Sequence, residues 1–512
     1  MSVAASAPAA KPAPSEVTTD GPDGLRRGAP LAGGKSRSTE RGGCHVDAEW
    51  MAERRKATIA AACAEIAAAL ESLPLWGKEG PDCDRLERML QETLRPVQGR
   101  LEGRLLSERV AAIESEPPLC PNGHGRMECA QRDRQMEGVL GPLQYRRGSF
   151  RCRACGQRLA LADQALGIGP GRLTPGLSRI VALHAVQDPF GHAARTINET
   201  LGSQLSRDAV YRTTEALGAV AEAEGASAAG VAEPAPAQPL GATTLLIGAD
   251  GTTTHTDGDW HEVKVGLVVS QGPEYTSDPD TGRRDLTPHE QTYCALVGSA
   301  DDFFPRLETL ARQSGFAHPQ LQTAQCLGDG GEWIWNRMGR FDRPGLRRIE
   351  TLDYVHAAEH LWTLGAQLHG ANTPEAQAFA RPLADTLKHQ GADPVLTQLY
   401  PLLPGSSDAA GPAIIAALDY LEPHSARGRT DYPTFAAEGL DIASGTVESS
   451  CRTVVCQRTK SPGMRWRRRG AQSILALRCL FLTPSRWEDF FHRKPCLRRP
   501  PVATLRTDIH AA

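Results

Sequence analysis

Between residues 243 and 353 the chain carries five short apolar runs, "TTLLIGAD", "VKVGLVVS", "TYCALVGS", "LQTAQCLGDG" and "RRIETLDY", the later ones separated by helix-like stretches at 301–313 and "GEWIWNRMG". Consecutive strands followed by alternating strand and helix leave few folds open, and select an α/β sheet with a mixed edge and flanking helices. Two of the runs end in the same way. Asp250 is followed by Gly251, and Asp329 lies in Gly-Asp-Gly-Gly ahead of a helix with Trp333 and Trp335. An isolated Asp-Gly pair reads most simply as a turn. Two of them in one sheet weigh more, because open α/β sheets bind ligands at the carboxyl ends of their strands. Two carboxylates converging there suit a hard divalent cation, Mg2+ or Mn2+, with its preference for oxygen ligands.

A third carboxylate stands far downstream. Glu448 heads "GTVESSCRTVVCQRTKSPGMRWRRRGAQ", in which every other charge is basic. Ser444 or Thr446 would cap a helix there, with Val447, Cys451, Val454 and Val455 as its buried stripe. Glu448 then either flanks the core-facing edge as a metal ligand, or serves the helix dipole and Arg452 four residues on. Arg452, Arg458, Lys460, Arg465, Arg467, Arg468 and Arg469 form a basic surface suited to phosphate.

At 512 residues the chain is too long for one core, so several modules are expected. Residues 1–45 are rich in Ala, Pro, Gly and Ser and read as disordered; 46–116 hold two or three amphipathic helices; 219–242 read as an Ala/Pro/Gly linker. Residues 354–440 are helical again, 441–495 carry the last helix and the basic segment, and 496–512 form a tail. The net charge of -3 excludes a polybasic protein as a whole but allows a local anionic partner. Thirteen cysteines without a signal peptide, and no apolar run near the roughly 20 residues of a membrane span, point to a reducing cytoplasm.

Within 117–165, Cys152 and Cys155 form a C-x-x-C knuckle, and Cys120 with His124 a second pair about thirty residues upstream. Two such pairs on facing turns make a tetrahedral zinc site of the ribbon kind. Gly123 occupies the place of the expected second cysteine, so His124 or Cys129 must substitute. Residues 166–218 hold a helix at about 192–201, Gly202 in a turn, and Ser206 capping a second helix with Asp208 in its first turn. This is a helix-turn-helix layout, with Arg207, Tyr211 and Arg212 exposed toward DNA.

Asp250-Gly, Gly328-Asp329-Gly-Gly-Glu-Trp-Ile, Gly445-Thr-Val-Glu448-Ser, and Gly463-Met-Arg-Trp466 with Gly470-Ala-Gln472 resemble the ISKra4 family of bacterial insertion-sequence transposases over roughly residues 115–495. The resemblance implies an RNase H-like catalytic core, with Asp250, Asp329 and Glu448 as the DDE triad and the helical stretch before Glu448 as an all-α insertion. "DYVH", Asp353 to His356, resembles the D-x-x-H motif that follows the second aspartate in related families; it also reads as an Asp helix cap followed by a histidine. The expected chemistry is strand cleavage and transfer at terminal inverted repeats, with two divalent ions activating water and then a 3′-hydroxyl. Acting on two DNA ends favours a dimer or higher oligomer. The competing classes are a non-catalytic zinc-ribbon and helix-turn-helix regulator, and a nuclease that cuts without joining.

Overall fold

The computed structural model describes residues 48–74, 79–227, 241–277, 284–405, 410–443, 445–461 and 464–497. The expected disordered start, and the tail beyond residue 497, lie outside them. The chain divides into two units, residues 1–51 and 52–512, and the second contains the elements discussed below. Among the described residues no helix is long and apolar enough to cross a membrane.

Two long helices, Ala48–Glu71 and Cys83–Ile113, fill the expected helical region. The second lies against a three-stranded antiparallel sheet of β1 (Glu128–Glu137), β2 (Pro142–Arg151) and β3 (Arg158–Leu159). Glycine permits the contact: a Cβ at Gly99 or Gly103 would strike the carbonyl oxygens of Pro142 and Gln144. Next come the helices Pro175–Ala185, Phe190–Leu201 and Arg207–Ser227. Gly202 ends the middle one at φ 62°, a left-handed position that favours glycine. The Asn198 side chain ties the turn, accepting from Leu205 N at 2.8 Å and donating to Leu205 O at 3.0 Å. Ser206 caps the third helix, its Oγ accepting from Ala209 N at 3.1 Å.

That third helix corrects the reading of 219–242 as linker. It continues to Ser227, with Val220 and Ala221 buried and Glu222 paired to Arg306 at 2.6 Å. Its alanines look like linker in sequence, but here small side chains allow a close crossing: a Cβ at Gly218 would strike Ser473 O of the helix Arg468–Phe481. The helix-turn-helix is thus packed onto the sheet domain.

The main sheet has five strands, β4 (Thr244–Thr256), β5 (Asp259–Ser277), β6 (Arg284–Val297), β7 (Thr323–Gly328) and β8 (Arg347–Leu352), in the order β6-β5-β4-β7-β8. The first three are antiparallel neighbours, and β7 and β8 run parallel to β4, so the sheet is mixed as expected. Side chains alternate between its faces. Leu245, Ile247, Ala249, Ala324 and Cys326 join the larger core with the helix Ala300–Gln313 and the helices of 354–440. Leu246 and Leu327 face the other way, against Val447, while Val263, Val265, Ala295 and Val297 pack on that face with Ile474 and Leu475. Both faces are therefore covered by helices. The insertion comprises Tyr354–His369, Pro374–Gln390, Ala392–Leu399, Ala410–Ser425 and Tyr432–Ala437.

Candidate functional site

The register of the sheet sets the site. Ala249 pairs with Gly328, and Gly328 with Leu352, so the next residues, Asp250, Asp329 and Asp353, stand in one row across three adjacent parallel strands. Neighbouring strands lie about 4.8 Å apart, which brings three carboxylate-bearing residues to one edge. Asp250 and Asp329 share the face of Leu246 and Leu327, the side on which Val447 packs. Asp250 is not the last residue of its strand, however. β4 loses its parallel partner after Ala249 but stays paired with β5 as far as Thr256, and the tight turn is made by Asp257 and Gly258, at φ 53° and 96°.

Each aspartate is fixed locally. Asp250 accepts from Gly251 N at 2.6 Å, and Asp329 accepts from Gly331 N at 2.8 Å. Trp335 Nε1 donates to Asp329 O at 2.7 Å, so the second expected tryptophan locks the turn. Asp353 is fully buried; its N–H donates to Gly328 O at 2.9 Å, and its carboxylate accepts from Val355 N at 2.8 Å as the cap of the Tyr354–His369 helix. The capping reading of "DYVH" is thus met. The histidine lies close by: His356 Nε2 is 3.8 Å from Asp353 Oδ2, and its Nδ1 is 3.4 Å from Glu359.

Glu448 is exposed in the short helix Gly445–Ser450, which continues as a π-helical turn over Cys451–Cys456. Its neighbours tie this helix to the sheet. A Cβ at Gly248 would strike Val447, so glycine there admits the helix, and the Cys451 thiol donates to the Asp250 carboxylate. The expected stripe Val447, Cys451, Val454 and Val455 is buried throughout. The approach is held by Gln325, which donates to Asp441 O at 2.6 Å, and by Tyr354 N, which donates to Ile442 O at 2.9 Å. Ser444 lies outside the described residues. No ion pair joins Glu448 to Arg452 among the described residues; the helix widens to π geometry at Cys451, which shifts the usual i,i+4 alignment.

Burial raises the Asp250 pKa above its ordinary 3.8, and the charge of Asp329 adds to that, while Cys451 and Gly251 oppose it. A raised carboxyl pKa means the folded protein holds the proton more tightly than the unfolded chain, so stability falls as pH rises from about 4. Asp250→Asn is therefore expected to raise the midpoint of urea unfolding at pH 7 in metal-free buffer, and to lose that advantage near pH 3. A variant less stable than the parent at pH 7 would contradict this.

Tyr420 was not foreseen. It comes from the Ala410–Ser425 helix, stacks on His360 at 3.6 Å between ring centres, and lies against Gly330. Burial and the charges of Asp329 and Asp353 push its hydroxyl pKa well up, which places it in the same electrostatic site.

The ribbon holds a second constellation. Cys120 Sγ lies 3.6 Å from Cys155 Sγ and 3.6 Å from His124 Nδ1, and Cys152 Sγ lies 3.9 Å from His124 Nδ1. Zinc bonds of about 2.3 Å to sulfur and 2.0 Å to nitrogen, arranged tetrahedrally, separate ligand atoms by about 3.5 to 3.8 Å. The four residues could therefore hold a zinc ion with little movement, all their ligand atoms lying within 4.8 Å of one another. His124 takes the place left open by Gly123, while Cys129 is exposed on β1 and receives a bond from Gln131. The Cys155 thiol is held down to about 6 by the backbone N–H of Gln157 and the Asn122 amide, which favours the thiolate a metal needs. Among the described residues this is the only such group of three or more; Asp250, Asp329 and Glu448 do not form another.

Of the basic residues, Arg207, Arg212, Arg452, Lys460, Arg465, Arg467, Arg468 and Arg469 are exposed. Lys460 reaches β4, donating to Thr252 Oγ1 at 2.8 Å, two residues from Asp250. The charges of Arg467 and Arg469 act on Tyr211, so the basic segment and the helix-turn-helix meet. Two expectations need correction. Tyr211 is half-buried: it donates to Glu215 at 2.9 Å and packs edge-on to Phe190. Arg458 is 1% exposed and not on the basic surface; its guanidinium lies between Phe190 and Trp466, 5.0 and 4.8 Å from the ring centres, and donates to Ala185 O at 2.7 Å. Cation–π packing explains how an arginine in a basic run can turn inward.

No family model matches the chain, and no curated protein matches it.

Proposed function

We propose that the protein is a DDE transposase of the ISKra4 type, with its five-stranded sheet an RNase H-like core that cleaves and joins DNA at terminal inverted repeats. The observation that carries this reading is the row of Asp250, Asp329 and Asp353 on adjacent parallel strands, beneath the helix of Glu448. A strand order of third, second, first, fourth and fifth, with only the last two parallel to the first, supports an RNase H-like core.

Asp250, Asp329 and Glu448 would hold Mg2+ or Mn2+, with oxygen-only donors suited to hard cations. When bound, such ions lower the pKa of a nucleophilic water or 3′-hydroxyl and neutralise charge on the phosphate. The chain's own groups do the rest. The Cys451 and Gly251 hydrogen bonds orient the Asp250 carboxylate, the Gly331 N–H orients that of Asp329, and Lys460 with Arg452 offers positive charge to the scissile strand. His356, beside Asp353, stands where it can exchange a proton at the same edge. The helix-turn-helix, through Arg207 and Arg212, and the zinc-binding ribbon would recognise the repeats, with two copies of the chain holding two ends.

The test is cleavage of DNA bearing the inverted repeats that flank the gene, with the purified full-length protein in Mg2+, followed by a joining assay with pre-cleaved ends. The expected result is metal-dependent cutting and joining. Binding without product would establish a regulator instead, and cutting without joining a nuclease.

A further inference from the structure

We infer that the cavity between the Phe190–Leu201 helix, the Arg207–Ser227 helix and the segment around Trp466 is a phosphate-binding pocket. It measures about 510 Å3 and is lined by Arg207, Arg458, Arg465 and Arg467 with no carboxylate among its lining residues. Arg458 and Trp466 are more than nine-tenths buried, and each carries a donor without a partner among the described residues: Nη2 of the guanidinium and Nε1 of the indole. An unpaired buried donor forfeits its hydration without replacement, a loss that is greater when the group is charged. Two of them beside one cavity are accounted for by an acceptor that enters it.

Charge points to an anion. Among the described residues no carboxylate forms an ion pair with Arg458, whose other donors meet Ala185 O and Met464 Sδ. Burial and the nearby charge of Arg478 lower the Arg458 pKa to about 10, so bound negative charge would relieve both. Arg478 also spends its donors on neutral groups, the oxygens of Val186, Thr453 and Gln457. Arg207, Arg465 and Arg467 are exposed at the same cavity and can draw the anion in. A guanidinium and an indole N–H both match phosphate oxygens.

A backbone phosphodiester and free phosphate share this chemistry. The first deepens the transposase reading, because the pocket joins the helix-turn-helix to the basic segment that follows Glu448, and it rests on that reading only for DNA as the partner.

The experiment uses the full chain and Trp466→Phe, which removes the N–H and keeps the ring. Two probes are compared: a 30-base-pair duplex of arbitrary sequence by fluorescence anisotropy, and inorganic phosphate by its effect on Tm against chloride at equal ionic strength. We expect phosphate to raise the parent's Tm, and Trp466→Phe to blunt that rise or weaken duplex binding about tenfold. Weakened duplex binding assigns the pocket to the phosphodiester. A lost phosphate response with duplex binding unchanged assigns it to the free anion. If both responses match the parent's, the pocket proposal is overturned. Should Trp466→Phe fold poorly, the exposed pair Arg465→Gln and Arg467→Gln carries the same comparison. A protein that binds duplex through this pocket yet never cuts DNA in Mg2+ would keep the pocket and lose the strand-cleavage reading.

Discussion

Cys152→Ser is expected to strip zinc from the purified protein and to unfold the zinc end of the ribbon, residues 117–130 and 149–160, leaving the five-stranded sheet intact. That end of the ribbon has little else to hold it, whereas the far ends of β1 and β2 pack on the Cys83–Ile113 helix through Met136, Leu143 and Tyr145. The local core of the zinc end is Cys120, Met127, Phe150 and Cys152, so two of the four buried residues are themselves candidate ligands. Structural zinc contributes roughly 10–16 kcal/mol of apparent binding energy in small metal-folded units, far more than so small a cluster can. The sheet domain keeps its own cores on both faces and does not depend on the metal. Metal analysis should give one zinc per parent chain and none in the variant, and hydrogen exchange should speed up at the Glu128 end of β1 and the Arg151 end of β2 but not near Met136 and Leu143. Cys129→Ser is the control, and should keep its zinc because its thiol lies outside the tetrahedron. Unchanged protection in a zinc-free Cys152→Ser protein would show that the four residues do not hold the ribbon together.

The second large effect concerns the carboxylates. Asp329→Ala, Asp250→Asn and Glu448→Gln are each expected to slow strand cleavage by at least about a thousandfold, or roughly 4 kcal/mol of barrier. On the proposed reading each removes a charged oxygen ligand, and a metal that binds poorly supplies neither nucleophile activation nor charge neutralisation. Groups that act as one unit do not add, so the Asp250→Asn, Asp329→Ala double variant should be little worse than either single one. Duplex affinity should stay within about twofold, because the exposed arginines that would meet phosphate are untouched. Retained cleavage in Asp329→Ala would remove it from the triad.

Much of the sheet and its acidic edge was legible in the sequence because the two signals reinforce each other. Apolar runs fix the strands, and the Gly-rich turn after Asp329 marks where β7 ends. The extension of β4 past Asp250 was hidden, since "GTTTHT" is polar and reveals itself as strand only by pairing with β5. Alanine-rich 219–227 reads equally as linker or as a helix that needs small side chains, and only the partner at Ser473 decides. Arg458 sits in a run of basic residues and looks solvated; its inward turn depends on Phe190, from a distant helix. Tyr420 gives no local signal, because one aromatic in an amphipathic helix reads as core and its role arises from Gly330 across the fold. The choice of His124 over Cys129 likewise follows from where β1 carries Cys129, a matter of register that spacing does not contain.

On the proposed reading three segments distant in sequence, around Asp250, Asp329 and Glu448, share one divalent metal site. Substituting Fe2+ for Mg2+ and adding ascorbate with peroxide generates radicals at the bound metal, which cut the nearby backbone. The account predicts cuts close to residues 250, 329 and 448 in the same protein, all suppressed by excess Mg2+. Cuts that spare the region of Glu448, or that Mg2+ fails to suppress, would contradict it.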